Sequence, residues 1–175
     1  YFPNLKKLEI ANSNLDEKDI SYIVKLVSLD TLMFNNCHVA NVKSLYQSKI
    51  KSLGFNNCIV SDIENIGNMK NLNSIKLINM KLGSISYLEN LPHLIEVDLS
   101  YSSLDSTSTL YHFILIERLA IANSSITDLD FVNKYSGLTE ISISNNQYKS
   151  NKDLIDDLVA LDITVYEDDV ICYNH

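Results

Sequence analysis

The side chains that could carry chemistry are few and poorly spaced for it. His38, His93, His112 and His175, with Cys37, Cys58 and Cys172, are the possible ligands for a borderline metal. Zinc sites draw on close pairs such as C-x2-C or H-x3-H, and no such pair occurs, so neither a metal nor another cofactor is expected. Acyl transfer would need a nucleophile on a G-x-S-x-G turn or a Cys beside a converging His, and phosphate chemistry a Gly-rich loop. With four glycines in 175 residues the chain has none of these. Asp156–Asp157 and Asp168–Asp169 are adjacent carboxylates with no partner to split their pKa values, and they read as solvated surface. His112, next to Phe113, reads as packing or solvent-facing. No catalytic residue is assigned, and the chain is read as not an enzyme.

The elements that would have to position any site show a repeat. In IKSLGFNNCIVSDIENIGNMKN, from Ile50 to Asn71, the apolar spacing changes partway from two to about three. Period two belongs to a strand and 3–3.6 to a helical turn. The pattern apolar-x-x-apolar-x-apolar-x-x-small-x-apolar occurs seven times, starting at Leu5, Leu29, Ile50, Leu72, Leu94, Ile116 and Leu138. The last five starts are about 22 residues apart, and a fixed period of that size marks a solenoid.

The LxxLxLxxN/CxL core resembles the leucine-rich repeat. Val60-Ser61-Asp62-Ile63 and Ile126-Thr127-Asp128-Leu129 resemble the NxIxDIxxL continuation of the 22-residue subclass, found in bacterial internalins and phosphatase-regulator-type proteins. The resemblance implies an α/β solenoid, a curved right-handed superhelix with a parallel sheet on the concave face and short helical or 3-10 segments on the convex face. The ninth position departs from the family's Asn, holding Ser13, Cys37, Cys58, Met80, Ser102, Ser124 and only once Asn, at Asn146. A less regular turn spine is expected there. Cys37 and Cys58 then stack as free buried thiols, with a bridge between them geometrically conceivable.

Residues 1–149 are assigned to the seven repeats. Residues 150–175 are assigned to a helix over 151–161 capped by Ser150 or Asn151, a final strand at 163–166 and an acidic tail with Glu167, Asp168 and Asp169. A further helix is expected within 15–28. The front end carries no polar cap, so the chain is read as a trimmed piece whose N-terminal cap lies outside it. A formal charge of -8 argues against nucleic acid, which needs displaced counterions. No apolar run reaches the ~18–20 residues that span a bilayer.

What remains is the concave face. Its fifth column holds Glu9, Met33, Gly54, Lys76, Asp98, Ala120 and Ser142; its third holds Lys7, Thr31, Ser52, Ser74, Glu96, Arg118 and Glu140. In-register strands lie about 4.8 Å apart, which predicts Lys76 pairing with Asp98, and Arg118 with Glu96 and Glu140. Met33 and Ile78 are expected to flank a gap left by Gly54 as an apolar floor, with Tyr101 at the edge. Met33, Gly54, Lys76, Ile78, Glu96, Asp98, Tyr101 and Arg118 are the candidate partner-binding residues. The expected function is non-catalytic recognition of a protein partner by a monomer. The internalin resemblance implies a bacterial surface or secreted protein ahead of a cytoplasmic one. The alternatives are the targeting portion of a larger effector enzyme, an intracellular regulatory scaffold, and a spacer, which the small concave residues favour.

Overall fold

The structure is a computed structural model that describes residues 2–167 and 170–172. Asp168, Asp169 and His175 lie outside the described residues, as do the side chains of Asn146 and Cys172. Strict alternation at positions three to seven of each repeat produces one strand per repeat. They are β1 (Lys7–Ala11), β2 (Thr31–Asn35), β3 (Ser52–Asn56), β4 (Ser74–Ile78), β5 (Glu96–Asp98), β6 (Arg118–Ala120) and β7 (Glu140–Ile143). After them come β8 (Thr164–Glu167) and β9 (Val170–Cys172). They form one sheet in chain order, parallel as far as β8, with β9 antiparallel at the end. The register keeps repeat columns together, as in Phe34↔Phe55 and Arg118↔Glu140.

The inward residues make a continuous core. Leu32, Phe34, Leu53, Phe55, Ile75 and Leu77 are each 0% exposed. Phe34 and Phe55 stack with ring centroids 5.1 Å apart. Parallel strands need a crossover, supplied on the back by helix α1 (Glu17–Ile23) and then by 3-10 turns such as Ile63–Asn68, Ser86–Asn90 and Asp130–Lys134. These turns bury Ile66, Leu88 and Val132, matching the spacing-of-three reading. A capping box starts α1, with Asp16 Oδ1 accepting from the Asp19 N–H at 2.9 Å and Asp19 Oδ2 from the Asp16 N–H at 3.1 Å. At Gly67 the neighbouring turn comes so close that a Cβ would lie 2.5 Å from the Tyr87 carbonyl oxygen. In the first repeat Leu5, Leu8 and Ile10 are only partly buried, and Phe2, Tyr22 and Val27 are exposed nearby.

Two columns hold the turn that follows the strands. At the ninth position two thiols and one hydroxyl tie their turns to the preceding repeat. Cys37 Sγ donates to Ile10 O and Cys58 Sγ to Phe34 O. Cys58 Sγ also accepts from the Cys37 N–H at 3.3 Å, and Ser102 Oγ bonds Leu77 O and the Met80 N–H at 2.6 and 2.9 Å. Both thiols are free and buried. Burial pushes the Cys58 thiol above its ordinary pKa, against the lowering effect of the Cys37 backbone hydrogen bond.

The eighth position, which the sequence reading passed over, carries a second ladder. Asn12, Asn36, Asn57, Asn79 and Asn123 all take the left-handed conformation, at φ 51–56°. Asn36, Asn57 and Asn79 each donate a side-chain hydrogen bond to the Asn of the preceding repeat, at 2.9–3.4 Å. Asn tolerates that conformation better than other residues with a Cβ. In the fifth repeat the position is Tyr101, at φ 60°.

The seventh repeat ends differently. Helix α2 (Asn145–Ser150) replaces its turn, with Ser144 and Gln147 forming a capping box, and α3 (Lys152–Ala160) leads into β8. Asn151 occupies the N-cap position of α3, but its side chain does not cap the helix. It bridges to the Thr127 carbonyl and the Leu129 N–H of the preceding repeat at 2.9 and 3.3 Å. Among the described residues no helix is long and apolar enough to cross a membrane.

Candidate functional site

The candidate residues lie on the outward side of the sheet, and the structure divides them into groups. Lys76, Glu96, Asp98 and Arg118 gather around one shallow hollow of about 220 Å³. Its lining also includes Ala120, Glu140, Ser142 and Tyr166. Ala120 and Ser142 are the small residues of the fifth column, and Tyr166 occupies the same column on β8, in register with Ser142. Extending the repeat alignment through 163–166 would have placed Tyr166 there; the alignment of seven copies stopped short of it.

The charges do not pair as the columns predict. Lys76 is in register with Asp98, yet its Nζ lies 2.8 Å from Glu96 Oε1. Arg118 reaches the other oxygen of Glu96 at 3.1 Å and Glu117 at 3.8 Å. The expected Arg118–Glu96 pair is present; Lys76–Asp98 and Arg118–Glu140 are not among the ion pairs of the described residues. The reason is reach. The short Asp98 side chain is occupied by its own turn, accepting from the Ser100 N–H at 3.0 Å. The longer Glu96 can present an oxygen to each of two long cations.

Burial pushes the Glu96 carboxyl up, but the hydrogen bonds and charges of Lys76 and then Arg118 outweigh it and hold the pKa below its ordinary value of 4.5. A carboxyl lowered in the folded state stabilises the fold above its unfolded pKa and loses that contribution as pH falls through the folded one. Wild type is therefore expected to melt above Glu96→Gln at pH 7, with the gap closing as pH drops below about 4.5 toward 3. An equal gap at pH 7 and pH 3 in thermal melts would show that ionisation of Glu96 is not the source.

Toward the front of the sheet the expected opening is filled. Gly54 is buried, and a Cβ there would collide with Sδ and Cε of Met33, which lies across it. Met33 and Ile78 are both half-buried, so the apolar floor is smaller than the column pattern suggests. Tyr101 stands apart at the turn, 57% exposed and in a conformation that bulky side chains seldom adopt. On the back, His112 Nδ1 lies 3.0 Å from Glu89 Oε1. Among the described residues no three of His, Cys, Asp and Glu converge on a point that could hold a metal ion.

No family model matches the sequence, and no curated protein does. Among solved structures, an internalin (inlF) of Listeria monocytogenes superposes with a TM-score of 0.68 at 20% identity, over 95% of this chain and 50% of that one. Internalin C2 of the same organism gives a TM-score of 0.67 at 18% identity, over 79% of this chain and 61% of that one. The Arabidopsis receptor kinase HAESA, solved with the peptide hormone IDA and the co-receptor SERK1, gives 0.54 at 15% identity, over 81% and 31%. The chain thus spans about half to three-fifths of the internalin structures. It has their fold, a curved leucine-rich-repeat solenoid with the parallel sheet on one face and short helical turns on the other.

Proposed function

We propose that this internalin-like leucine-rich-repeat solenoid is a protein-binding module without chemistry of its own, gripping its partner with the concave sheet. The observation that carries the reading is the convergence of Lys76, Glu96, Asp98 and Arg118 on one hollow of the outward sheet face, with Tyr101 exposed at the turn after β5. Tyr and Arg dominate the energetics of protein interfaces. Strained residues that persist in a fold cluster at functional sites, and a left-handed tyrosine costs about 1–3 kcal/mol. The HAESA complex, with a peptide and a protein bound to the same fold, supports the class of partner. Likeness to two Listeria internalins supports a bacterial surface or secreted setting. Met33, Gly54 and Ile78 belong to the proposed face as its half-buried floor.

A spacer is the second reading, favoured by the way Lys76, Glu96 and Arg118 satisfy one another. Capture from host-cell and bacterial extracts separates the two. Wild type is expected to retain a specific protein that Tyr101→Ala and Arg118→Ala each lose by about 10–30-fold in affinity. The back-face substitution Glu64→Lys is expected to leave retention unchanged. Equal retention by all four proteins would remove the concave face from the interaction.

A further inference from the structure

We infer that the hollow takes a cationic side chain, an arginine or lysine of the partner, between Asp98 and Glu140. The inference rests on the binding-face reading above and adds the chemistry of the contact. The lining holds two cations, Lys76 and Arg118, and three carboxylates, Glu96, Asp98 and Glu140. Both cations turn to Glu96, at 2.8 and 3.1 Å, and the second contact of Arg118 is Glu117. Among the described residues Asp98 and Glu140 have no cation within 4.0 Å. The hollow therefore keeps one net negative charge in a chain whose formal net charge is -8.

Its shape fits a single side chain. Asp98 and Glu140 stand on β5 and β7 diagonally across β6, two strand spacings of about 4.8 Å apart and offset by two residues, since Glu140 is in register with Arg118 and Glu96 while Asp98 is in register with Ala120 and Ser142. Ala120 and Ser142 leave the space beside them open, and Tyr166 lines the far side. That separation is too wide for both carboxylates to share a cation such as calcium, whose ligands lie at about 2.3–2.6 Å. At about 220 Å³ the hollow is smaller than the roughly 300–1,000 Å³ of small-molecule sites. A guanidinium, which stacks on aromatic rings and donates to several acceptors at once, matches the part of the lining made by Asp98, Glu140, Ser142 and Tyr166, beside the mutually paired Lys76, Glu96 and Arg118.

The test is an NMR titration of the 15N-labelled chain with N-acetyl-arginine methylamide and with its neutral isostere N-acetyl-citrulline methylamide. Saturable shifts of the Ala120, Ser142 and Tyr166 amides are expected with arginine, at an affinity at least about five times that for citrulline, and they should weaken as salt screens the contact. In the double variant Asp98→Asn, Glu140→Gln the preference should vanish. These near-isosteres keep an acceptor for the Ser100 N–H, and the unchanged remainder of the spectrum reports an intact fold. Equal response to the two probes, or no saturable response at these amides, overturns the inference. If Arg118→Ala and Tyr101→Ala still weaken partner capture in that case, the concave-face reading stands and only the cationic pocket falls. If capture is also indifferent to them, both fall.

Discussion

Phe55→Ala is expected to destabilise the protein by about 3–5 kcal/mol, the range for emptying an aromatic site in a packed core. At about 2–4 °C per kcal/mol for a chain of this size, the melting temperature should fall by roughly 6–20 °C. Phe55 is 0% exposed and stacks on Phe34 of the neighbouring repeat. In a solenoid each repeat touches only its neighbours, so loss of an inter-repeat contact cannot be offset by a distant part of the core. Phe55→Leu, which keeps most of the volume, should lose less than about 1.5 kcal/mol. Urea denaturation of the three proteins provides the measurement. A loss below 1 kcal/mol for the alanine variant would mean that the central strands are not the continuous core described above.

Gln147→Leu is expected to lose about 2–4 kcal/mol, because it strands several buried polar groups at once. Gln147 is 3% exposed. Its Nε2 donates to Ile121 O at 3.0 Å and Ile126 O at 2.5 Å, while Oε1 accepts from the Ser144 N–H at 2.7 Å and from its hydroxyl at 2.9 Å. One side chain thus replaces the spine contact of the missing turn and starts α2. Gln47→Leu, the same exchange on an exposed residue, should stay within about 0.5 kcal/mol of wild type. Hydrogen exchange should show faster opening of β7, α2 and β8 in Gln147→Leu, with β2–β4 little changed. Uniform acceleration along the chain would argue that Gln147 does not act as a local seal of that end.

The fold was legible in the sequence because the repeat multiplies a weak local signal. A single alternation such as Leu53–Phe55 is an ambiguous strand, but seven copies in phase leave one way to bury them. The ninth-position residues led to an expectation of a less regular turn spine, and the structure shows both sides of it: Cys37, Cys58 and Ser102 each bond a carbonyl of the preceding repeat, whereas Met80 has no donor to do so and the pairing register shifts between Ser103 and Leu104. The eighth-position Asn column was present in the alignment and unread; its meaning lies in a left-handed backbone, which residue types suggest only when that conformation is considered.

The candidate site was less legible, and the residues show why. Column register, set by the backbone, was available from sequence: Arg118 lies between Glu96 and Glu140, and Lys76 beside Asp98. Which neighbour a long side chain chooses was not, because the choice depends on reach, on competing bonds and on what stays buried. Sequence by itself determined the solenoid, its strand register and the identity of the outward columns, since these follow from the period of apolar burial along the chain. Only the tertiary structure decided that Met33 closes the space over Gly54, that both cations converge on Glu96, and that Asp98 is held by its own turn. Those outcomes are set by side-chain length and local hydrogen bonding in three dimensions, which a one-dimensional pattern does not carry.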